Sequence, residues 1–304
     1  DFTIVYTPLH GTGNIPARRV LKELGFKNVY VVPEQEKPDP DFTTLEYPNP
    51  EDPKAFTLAL KLAKEKNADI ILATDPDADR LGVYAKDSKT GEYVSFTGNM
   101  SGMLIAEYLL SQRRENGTLH KNGAFVKTIV STNMADEIAA EYNVKLIEVL
   151  TGFKFIGEQI KLFEQNGTYE YEFGFEESYG CLVGTHARDK DAIVAVMALC
   201  EAAAYYKTKG LTLWDQMINI YEKYGYYKEK TLNLVMPGVD GVEKMKNLMA
   251  ELRRIPPEEI SGVEVVRMRD YSDGSIYVAG LGKVGTTPFS GSNVLYFELA
   301  DGCT

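Results

Sequence analysis

The sequence is poor in cysteine and has no apolar run long enough to cross a membrane. Its three cysteines, Cys181, Cys200 and Cys303, are odd in number and widely separated, a pattern that fits neither a zinc site nor a disulfide framework. The longest apolar stretch, 192–200, ends at Glu201, far short of the roughly 18 residues that a membrane helix needs. The first residues lack the basic segment of a secretory signal. These absences favour a cytoplasmic protein with reduced thiols and no membrane partner.

Positive charge is also scarce. The chain has 33 Lys and Arg against 44 Asp and Glu, which gives a formal net charge of −11 at pH 7. Such a chain offers no basic surface for a phosphate backbone, so nucleic acid is not an expected partner. With 44% hydrophobic and 25% charged residues, the composition is that of an ordinary globular protein. The length of 304 residues predicts two or three domains.

Alternating strand and helix patterns predict two consecutive α/β units. The predicted strands lie at 3–7, 29–32, 70–73, 125–130, 145–149 and 169–175. The predicted helices lie at 16–24, 53–66, 99–113, 134–142, 155–165 and 191–206. This order favours parallel, doubly wound sheets, each covered by its own helices, with the seam between the two units at 92–97.

The pattern changes after residue 221. The predicted elements are a long alternating strand, a helix and three further strands, at 226–235, 242–252, 263–269, 276–281 and 294–299. Short strands separated by turn residues favour an α+β unit with an antiparallel sheet. We therefore divide the chain into domains at 1–94, 95–220 and 221–304.

A cluster of carboxylates follows the predicted strand at 70–73. Asp75, Asp77 and Asp79 occupy alternate positions, and Arg80 comes next. Alternate side chains of an extended loop face one side, and the carboxyl ends of parallel strands are where α/β proteins bind ligands. Three carboxylates can hold a hard cation such as Mg²⁺ and leave positions for water or a phosphate oxygen. The pattern favours a magnesium site.

Other functions of this segment can be compared with the magnesium site. A calcium EF-hand loop needs Gly at its sixth position and Glu at its twelfth, where this sequence has Arg80 and Lys86. The EF-hand is therefore excluded. A phosphatase that uses Asp75 as its nucleophile, and a solvated acidic turn without a ligand, stay open as alternatives.

A glycine-rich turn follows the first predicted strand. Gly11 and Gly13, with Glu34 about 20 residues later, mimic a dinucleotide-binding fingerprint. However, Pro16 stands where the third glycine of that fingerprint would be. The pattern favours a tight turn at a helix N-terminus, near a phosphate. His10 could act as a base, but a turn-stabilising role is favoured.

Polar residues gather in three further loops. Thr151 and Gly152 follow one predicted strand, and Glu176 and Ser178 follow another and offer groups that hydrogen-bond sugar hydroxyls. The segment HARDKD at 186–191 places cationic groups at a helix N-terminus, which suits a phosphate. Each segment alone also fits a solvated surface. Their shared position on strand-to-helix loops favours a ligand site.

Four of these segments, in order, resemble the α-D-phosphohexomutases, specifically the bacterial phosphoglucomutase/phosphomannomutase branch. They are TPLHGTGN at 7–14, ATDPDADRLGV at 73–83, TGFKFIGE at 151–158, and FGFEESYG with its trailing RDKDA at 173–180 and 188–192. The match covers essentially the whole chain. The resemblance implies two consecutive three-layer α/β/α domains, II and III of the family, followed by part of an α+β domain IV.

The resemblance also implies an activity. Family members transfer phosphate through a phosphoserine, so we expect a phosphoglucomutase that interconverts glucose 1-phosphate and glucose 6-phosphate by way of a bisphosphorylated sugar. The expected cofactors are Mg²⁺ and glucose 1,6-bisphosphate, and the expected partner is a hexose phosphate. The alternatives are a phosphomannomutase, a phosphopentomutase, or a non-catalytic module that binds a sugar phosphate or a metal.

Residue by residue, the resemblance makes Asp75, Asp77 and Asp79 the metal ligands. It makes Arg80 and Lys190 catalytic residues. It assigns the substrate to Thr151, Gly152, Glu176, Ser178 and Arg188. Pro76 replaces a glycine that is common in the family's metal loop.

Two family motifs do not occur in this sequence. They are the serine loop of domain I and the Arg-Pro-Ser-Gly-Thr phosphate clamp of domain IV. The sequence also begins with Asp1 rather than Met. We therefore expect the chain to be a piece of a longer enzyme and to be inactive by itself.

Overall fold

The computed structural model describes residues 2–232, 234–238 and 240–304. The chain divides into two compact units, Asp1–Tyr227 and Lys228–Thr304. Within the described residues, no helix combines the length and the apolar character that a membrane span requires.

The first sheet has five strands in the order β2-β1-β3-β4-β5. They are β1 (Thr3–Thr7), β2 (Asn28–Val31), β3 (Ile70–Thr74), β4 (Leu81–Lys86) and β5 (Tyr93–Phe96). The first three are parallel, as predicted, but β4 and β5 run antiparallel. The expectation of a parallel sheet, made for the strands at 3–7, 29–32 and 70–73, is therefore confirmed. Strand β4 runs antiparallel because the segment 75–80 between β3 and β4 is too short for a parallel crossover, which needs a dozen or more residues.

Two helices cover opposite faces of this sheet. Helix α1 (Asn14–Glu23) packs its buried side chains against Ile4 and Tyr6 of β1. Helix α2 (Thr57–Lys66), which follows a short 3₁₀ turn, packs against Val5 of the same strand. Because successive side chains of a strand point to opposite faces, β1 is buried on both sides.

The second sheet has four strands in the order β7-β6-β8-β9. They are β6 (Gly123–Thr128), β7 (Lys145–Val149), β8 (Glu170–Phe175) and β9 (Cys181–Val183). The first three are parallel and β9 is antiparallel to β8. The helices are α3 (Gly98–Glu115), α4 (Met134–Tyr142), α5 (Phe153–Asn166), α6 (Ala192–Thr208) and α7 (Leu213–Tyr224). Sequence patterns missed β9 and α7; β9 is too short to show a periodicity.

Helix α6 joins the two sheets into one core. It contacts α1 and β3 of the first sheet as well as α3 and β9 of the second. Its buried side chains, such as Val196 and Leu199, share a cluster with Tyr6 and Phe173. The expectation that each unit covers its own sheet with its own helices was therefore wrong, because this apolar helix is buried on more than one side.

The C-terminal unit is α+β with an antiparallel sheet, as predicted. It consists of α8 (Gly241–Arg254), β10 (Glu259–Ile260), β11 (Val263–Asp270), β12 (Ser275–Val278), β13 (Gly282–Thr286) and β14 (Leu295–Leu299). The order is β10-β11-β12-β13, and β14 pairs with β11. The predicted strand 226–235 is not formed by the residues described there, and Asn233 lies outside the described residues. Alternation alone does not make a strand, since a strand also needs a partner in a sheet.

Two predicted domain boundaries fall inside elements of the structure. Strand β5 crosses the boundary between 94 and 95 and pairs with β4 of the first sheet. Helix α7 crosses the boundary between 220 and 221, and the two compact units part after Tyr227. The division into three domains stays a prediction.

Candidate active site

The aspartate loop, residues 75–80, is the hairpin connection between β3 and β4. Asp75, Asp77 and Asp79 each place one carboxylate oxygen within 4.8 Å of the others. The Oδ1 atom of buried Asp75 accepts hydrogen bonds from the backbone amides of Asp79 and Arg80, both at 3.0 Å. The loop thus folds around the Asp75 carboxylate, which brings the three side chains together as the sequence pattern predicted.

The electrostatics of this loop fit a divalent cation. Burial raises the pKa of Asp75 to about 7, and the neighbouring Asp79 and Asp77 charges raise this pKa too. Arg80 Nε lies 3.8 Å from Asp75 and 3.7 Å from Asp79. Among the described residues, Asp79 Oδ1 is one of the few buried side-chain atoms without a hydrogen-bond partner. Carboxylate oxygens are the hard donors that Mg²⁺ takes in proteins, and a buried oxygen without a hydrogen bond is available to such an ion.

The glycine-rich turn packs directly against the aspartate loop. A Cβ at Gly11 would lie 2.4 Å from Pro76 Cα, so only glycine allows this approach. The Thr12 amide donates a hydrogen bond to the Pro76 carbonyl over 2.8 Å. Helix α1 begins directly after this turn, as expected. This close packing explains why residue 11 is a glycine, so Gly11 needs no dinucleotide-binding role.

His10 holds this turn to the long loop that follows β2. Its Nδ1 lies 2.8 Å from the Lys37 carbonyl oxygen, and its Nε2 lies 2.8 Å from Thr44 Oγ1. The imidazole is buried and both ring nitrogens have partners. This geometry favours the turn-stabilising role over a role as a base.

The Glu176 loop, residues 176–180, connects β8 to β9. Glu176 is buried, and its Oε1 accepts a hydrogen bond from the backbone amide of Gly152 over 2.9 Å. Burial raises the pKa of Glu176, while the charge of Lys190 lowers it. Glu176 therefore joins the loop after β8 to the loop after β7.

Two more predicted residues lie in these same loops. Ser178 is half-buried within the Glu176 loop, and Thr151 is half-buried next to Gly152. Hydroxyl groups donate and accept hydrogen bonds, so both side chains offer such groups at this part of the surface.

Backbone hydrogen bonds connect the aspartate loop and the first residue of β4 to segments around the second sheet. The Leu81 amide donates to the Tyr179 carbonyl over 3.0 Å, and the Ala192 amide donates to the Ala78 carbonyl over 3.1 Å. Tyr179 and Ala78 have φ angles of +67° and +59°, in the left-handed region that few residues other than glycine adopt. These backbone hydrogen bonds therefore fix the aspartate loop beside the Glu176 loop.

The two predicted cationic residues, Lys190 and Arg188, have different partners. Lys190 Nζ lies 2.9 Å from Asp79 Oδ2 and 3.2 Å from Asp189 Oδ1. Arg188 instead binds both carboxylate oxygens of Glu164 on α5, each over 2.6 Å. Thus Lys190 reaches the aspartate loop, and Arg188 does not.

Glu177 is a polar residue of this region that the sequence analysis did not select. Its Oε2 accepts hydrogen bonds from Thr128 Oγ1 over 3.0 Å and from Ser131 Oγ over 3.3 Å. Both hydroxyls lie at the carboxyl end of β6. The hydroxyl residues Thr128 and Ser131 at the end of a predicted strand could have indicated a polar site here. They lie outside the four motifs that carry the family resemblance.

Comparison with known proteins identifies the family. The model for phosphoglucomutase/phosphomannomutase alpha/beta/alpha domain II matches residues 1–90, and the model for domain III matches residues 97–224. The chain belongs to the phosphoglucomutase/phosphomannomutase family. The resemblance carried by the four sequence motifs is confirmed, and so is the predicted fold class.

Curated relatives are similar over nearly all of the chain. A phosphoglucomutase of Staphylococcus aureus strain N315 is 36% identical over 295 residues, which are 97% of this chain and 52% of the relative. The phosphoglucomutase of strain MRSA252 is 36% identical over 277 residues, 91% of this chain and 49% of the relative. The chain spans about half the length of the curated relatives that it matches.

Solved structures share the fold. A phosphoglucomutase from Paramecium, an exocytosis-sensitive phosphoprotein, aligns with a TM-score of 0.60 at 19% identity and covers 99% of this chain and 49% of its own. The N-acetylphosphoglucosamine mutase of Aspergillus fumigatus, in complex with GlcNAc-6P and magnesium, aligns with a TM-score of 0.50 at 16% identity. That alignment covers 72% of this chain and 46% of the other.

Proposed function

We propose that this chain provides the metal-binding and sugar-binding domains of a phosphoglucomutase, which interconverts glucose 1-phosphate and glucose 6-phosphate. The observation that carries the proposal is the hydrogen bond between Leu81 and Tyr179, which sets the aspartate loop beside the Glu176 loop. This reaction requires a phosphoryl group and a sugar ring to be held close together. The loop that would hold the metal and the loop that would hold the sugar must therefore be neighbours. The phosphoglucomutase relatives at 36% identity support the choice of glucose phosphates.

Asp75, Asp77 and Asp79 would hold Mg²⁺ in this enzyme. The ion would supply positive charge for the phosphoryl group in transfer. Arg80, beside these carboxylates, would contact the same phosphoryl group and stabilise its charge. The magnesium in the complex of the Aspergillus mutase supports the choice of this metal.

The second domain would bind the sugar. Glu176 and Ser178 would hydrogen-bond ring hydroxyls, and Thr151 with Gly152 would lie in the loop that lets the sugar bind in two orientations. Lys190 would contact a phosphate or hold a proton for the reacting hydroxyl. Arg188 would contact the substrate only after its hydrogen bonds to Glu164 break.

The remaining parts of the proposal concern the whole enzyme. Glucose 1,6-bisphosphate would be the intermediate and activator, and a serine in a domain outside the matched ones would carry the phosphate. The chain would comprise domain II at 1–94, domain III at 95–220 and part of domain IV at 221–304. The enzyme would be cytoplasmic.

A substrate panel on the full-length enzyme tests the activity. We expect Mg²⁺-dependent turnover of glucose 1-phosphate above that of mannose 1-phosphate and ribose 1-phosphate. Asp77→Asn should abolish most of the turnover, whereas Asp87→Asn, which removes the same charge at the opposite end of β4, should not. Faster turnover of ribose 1-phosphate would overturn the choice of substrate. Binding of hexose phosphate without turnover of any sugar would favour the non-catalytic module.

A further inference from the structure

Gly180 lies directly beneath the side chain of Lys190. A Cβ at Gly180 would lie 2.0 Å from Lys190 Cδ and 2.6 Å from its Cγ, which is closer than such atoms can approach. The φ angle of Gly180 is not in the left-handed region, and its carbonyl accepts a hydrogen bond from the Glu176 amide over 2.8 Å. The φ angle therefore does not favour glycine here, and a side chain at this position would instead displace the lysine stem.

The absence of a side chain at Gly180 lets Lys190 reach the aspartate loop, which connects two strands of the first sheet. Its ammonium lies 2.9 Å from Asp79 Oδ2, and the lysine side chain is only 13% exposed. The same ammonium lies 5.8 Å from the centre of the Phe153 ring. An ion pair in such a partly desolvated position is stronger than one on an open surface.

Besides Arg80, Asp79 would therefore have to serve both Lys190 and a divalent cation. The lysine occupies Oδ2, and a divalent cation held by Asp75, Asp77 and Asp79 would take the other oxygen, Oδ1, of the same carboxylate. A lysine ammonium and a metal ion also repel each other at this distance. Occupancy of Asp79 by one must lower the affinity of the other, and such a coupling is reciprocal.

We propose that Gly180 is a positioning residue that holds Lys190 on Asp79, so that Lys190 competes with a divalent cation for this carboxylate. The inference rests on the proposed function, which makes the three aspartates metal ligands. On cation binding, Lys190 would leave Asp79 and remain near Glu176 in the sugar-binding domain. Metal binding would thereby deliver the lysine ammonium to the substrate.

Binding of Mn²⁺, an oxygen-seeking stand-in for Mg²⁺, tests the competition without any need for activity. The electron paramagnetic resonance signal of free Mn²⁺ is followed as it is titrated with the 304-residue chain, and circular dichroism checks that each variant is folded. Lys190→Met should tighten Mn²⁺ binding by roughly fivefold or more. Gly180→Ala should also tighten binding, but less, because the displaced ammonium stays nearby.

Two control variants match these changes. Lys154→Met removes the same charge from an exposed position on α5, and Gly285→Ala adds a methyl group where no atom lies within 4 Å. Both should bind Mn²⁺ as the wild type does. A general loss of structure would weaken metal binding, so tighter binding is a result that damage to the fold does not produce.

The possible failures are distinguishable. Unchanged Mn²⁺ affinity in Lys190→Met would overturn the competition. Tighter binding in Lys190→Met with unchanged binding in Gly180→Ala would overturn the positioning role of the glycine. If neither the wild type nor Lys190→Met binds Mn²⁺ at millimolar concentration, the metal assignment of the proposed function fails, and this inference fails with it.

Discussion

The backbone amide of Gly152 donates a hydrogen bond to Glu176 Oε1 over 2.9 Å and so joins the loops that follow β7 and β8. Gly152 has a φ angle of +110°, which side chains with a Cβ strongly disfavour. We expect Gly152→Ala to lower the free energy of unfolding by about 1–3 kcal/mol. Urea denaturation measures this, with Lys154→Ala, an exposed change two residues on, as the control. A Gly152→Ala chain as stable as the wild type would contradict the prediction.

Arg113 and Arg114 are neighbours on α3, but the partner of Arg113 is buried and the partner of Arg114 is exposed. Arg113 pairs with Glu172, whose side chain is fully buried and also accepts a hydrogen bond from His120. Arg114 pairs with Glu141 at the surface. We expect Arg113→Ala to lower the free energy of unfolding by about 3–5 kcal/mol, because it leaves a buried carboxylate without its main counter-ion. Arg114→Ala should change little, since exposed pairs contribute little. Equal effects in denaturation curves would show that the burial of Glu172 is unimportant.

The three cysteines differ in accessibility. Cys181 and Cys200 are buried and Cys303 is exposed. Burial raises the pKa of Cys181 to about 12 and raises that of Cys200 as well, so neither provides thiolate near neutral pH. We expect Ellman's reagent at pH 8 to modify one thiol in the folded chain and three after unfolding. In Cys303→Ser the folded chain should not react. Rapid reaction of a second thiol would show that the core opens readily.

The 304-residue chain by itself should have no mutase turnover. The proposed function passes phosphate through a phosphoserine, and the serine loop implied by the family resemblance does not occur in this sequence. Without a covalent phosphate carrier the two half-reactions cannot be connected. The measurement is a coupled assay with Mg²⁺, glucose 1-phosphate and glucose 1,6-bisphosphate. Turnover near the roughly 10 s⁻¹ of a typical enzyme would mean that another residue carries the phosphate.

Local sequence patterns were sufficient for the elements that depend on local chemistry. Helix α4 (Met134–Tyr142) and strand β7 (Lys145–Val149) were predicted with the bounds that they have in the structure. The spacing of their apolar residues indicates helix or strand, and the turn residues beside them mark where each element ends. The aspartate cluster was predictable for the same reason, because Asp75, Asp77 and Asp79 lie within one short loop.

Contacts between distant segments were decided by tertiary structure alone. Strand β4 runs antiparallel because of its short connection to β3, and the predicted strand at 226–235 is not formed by the residues described there. Likewise, the sequence alone determined that Lys190 is a cationic candidate, but its ion pair with Asp79 depends on how the segments around the two sheets pack together. A sequence pattern describes which face of an element is apolar, whereas the choice of partner depends on how all the elements pack together.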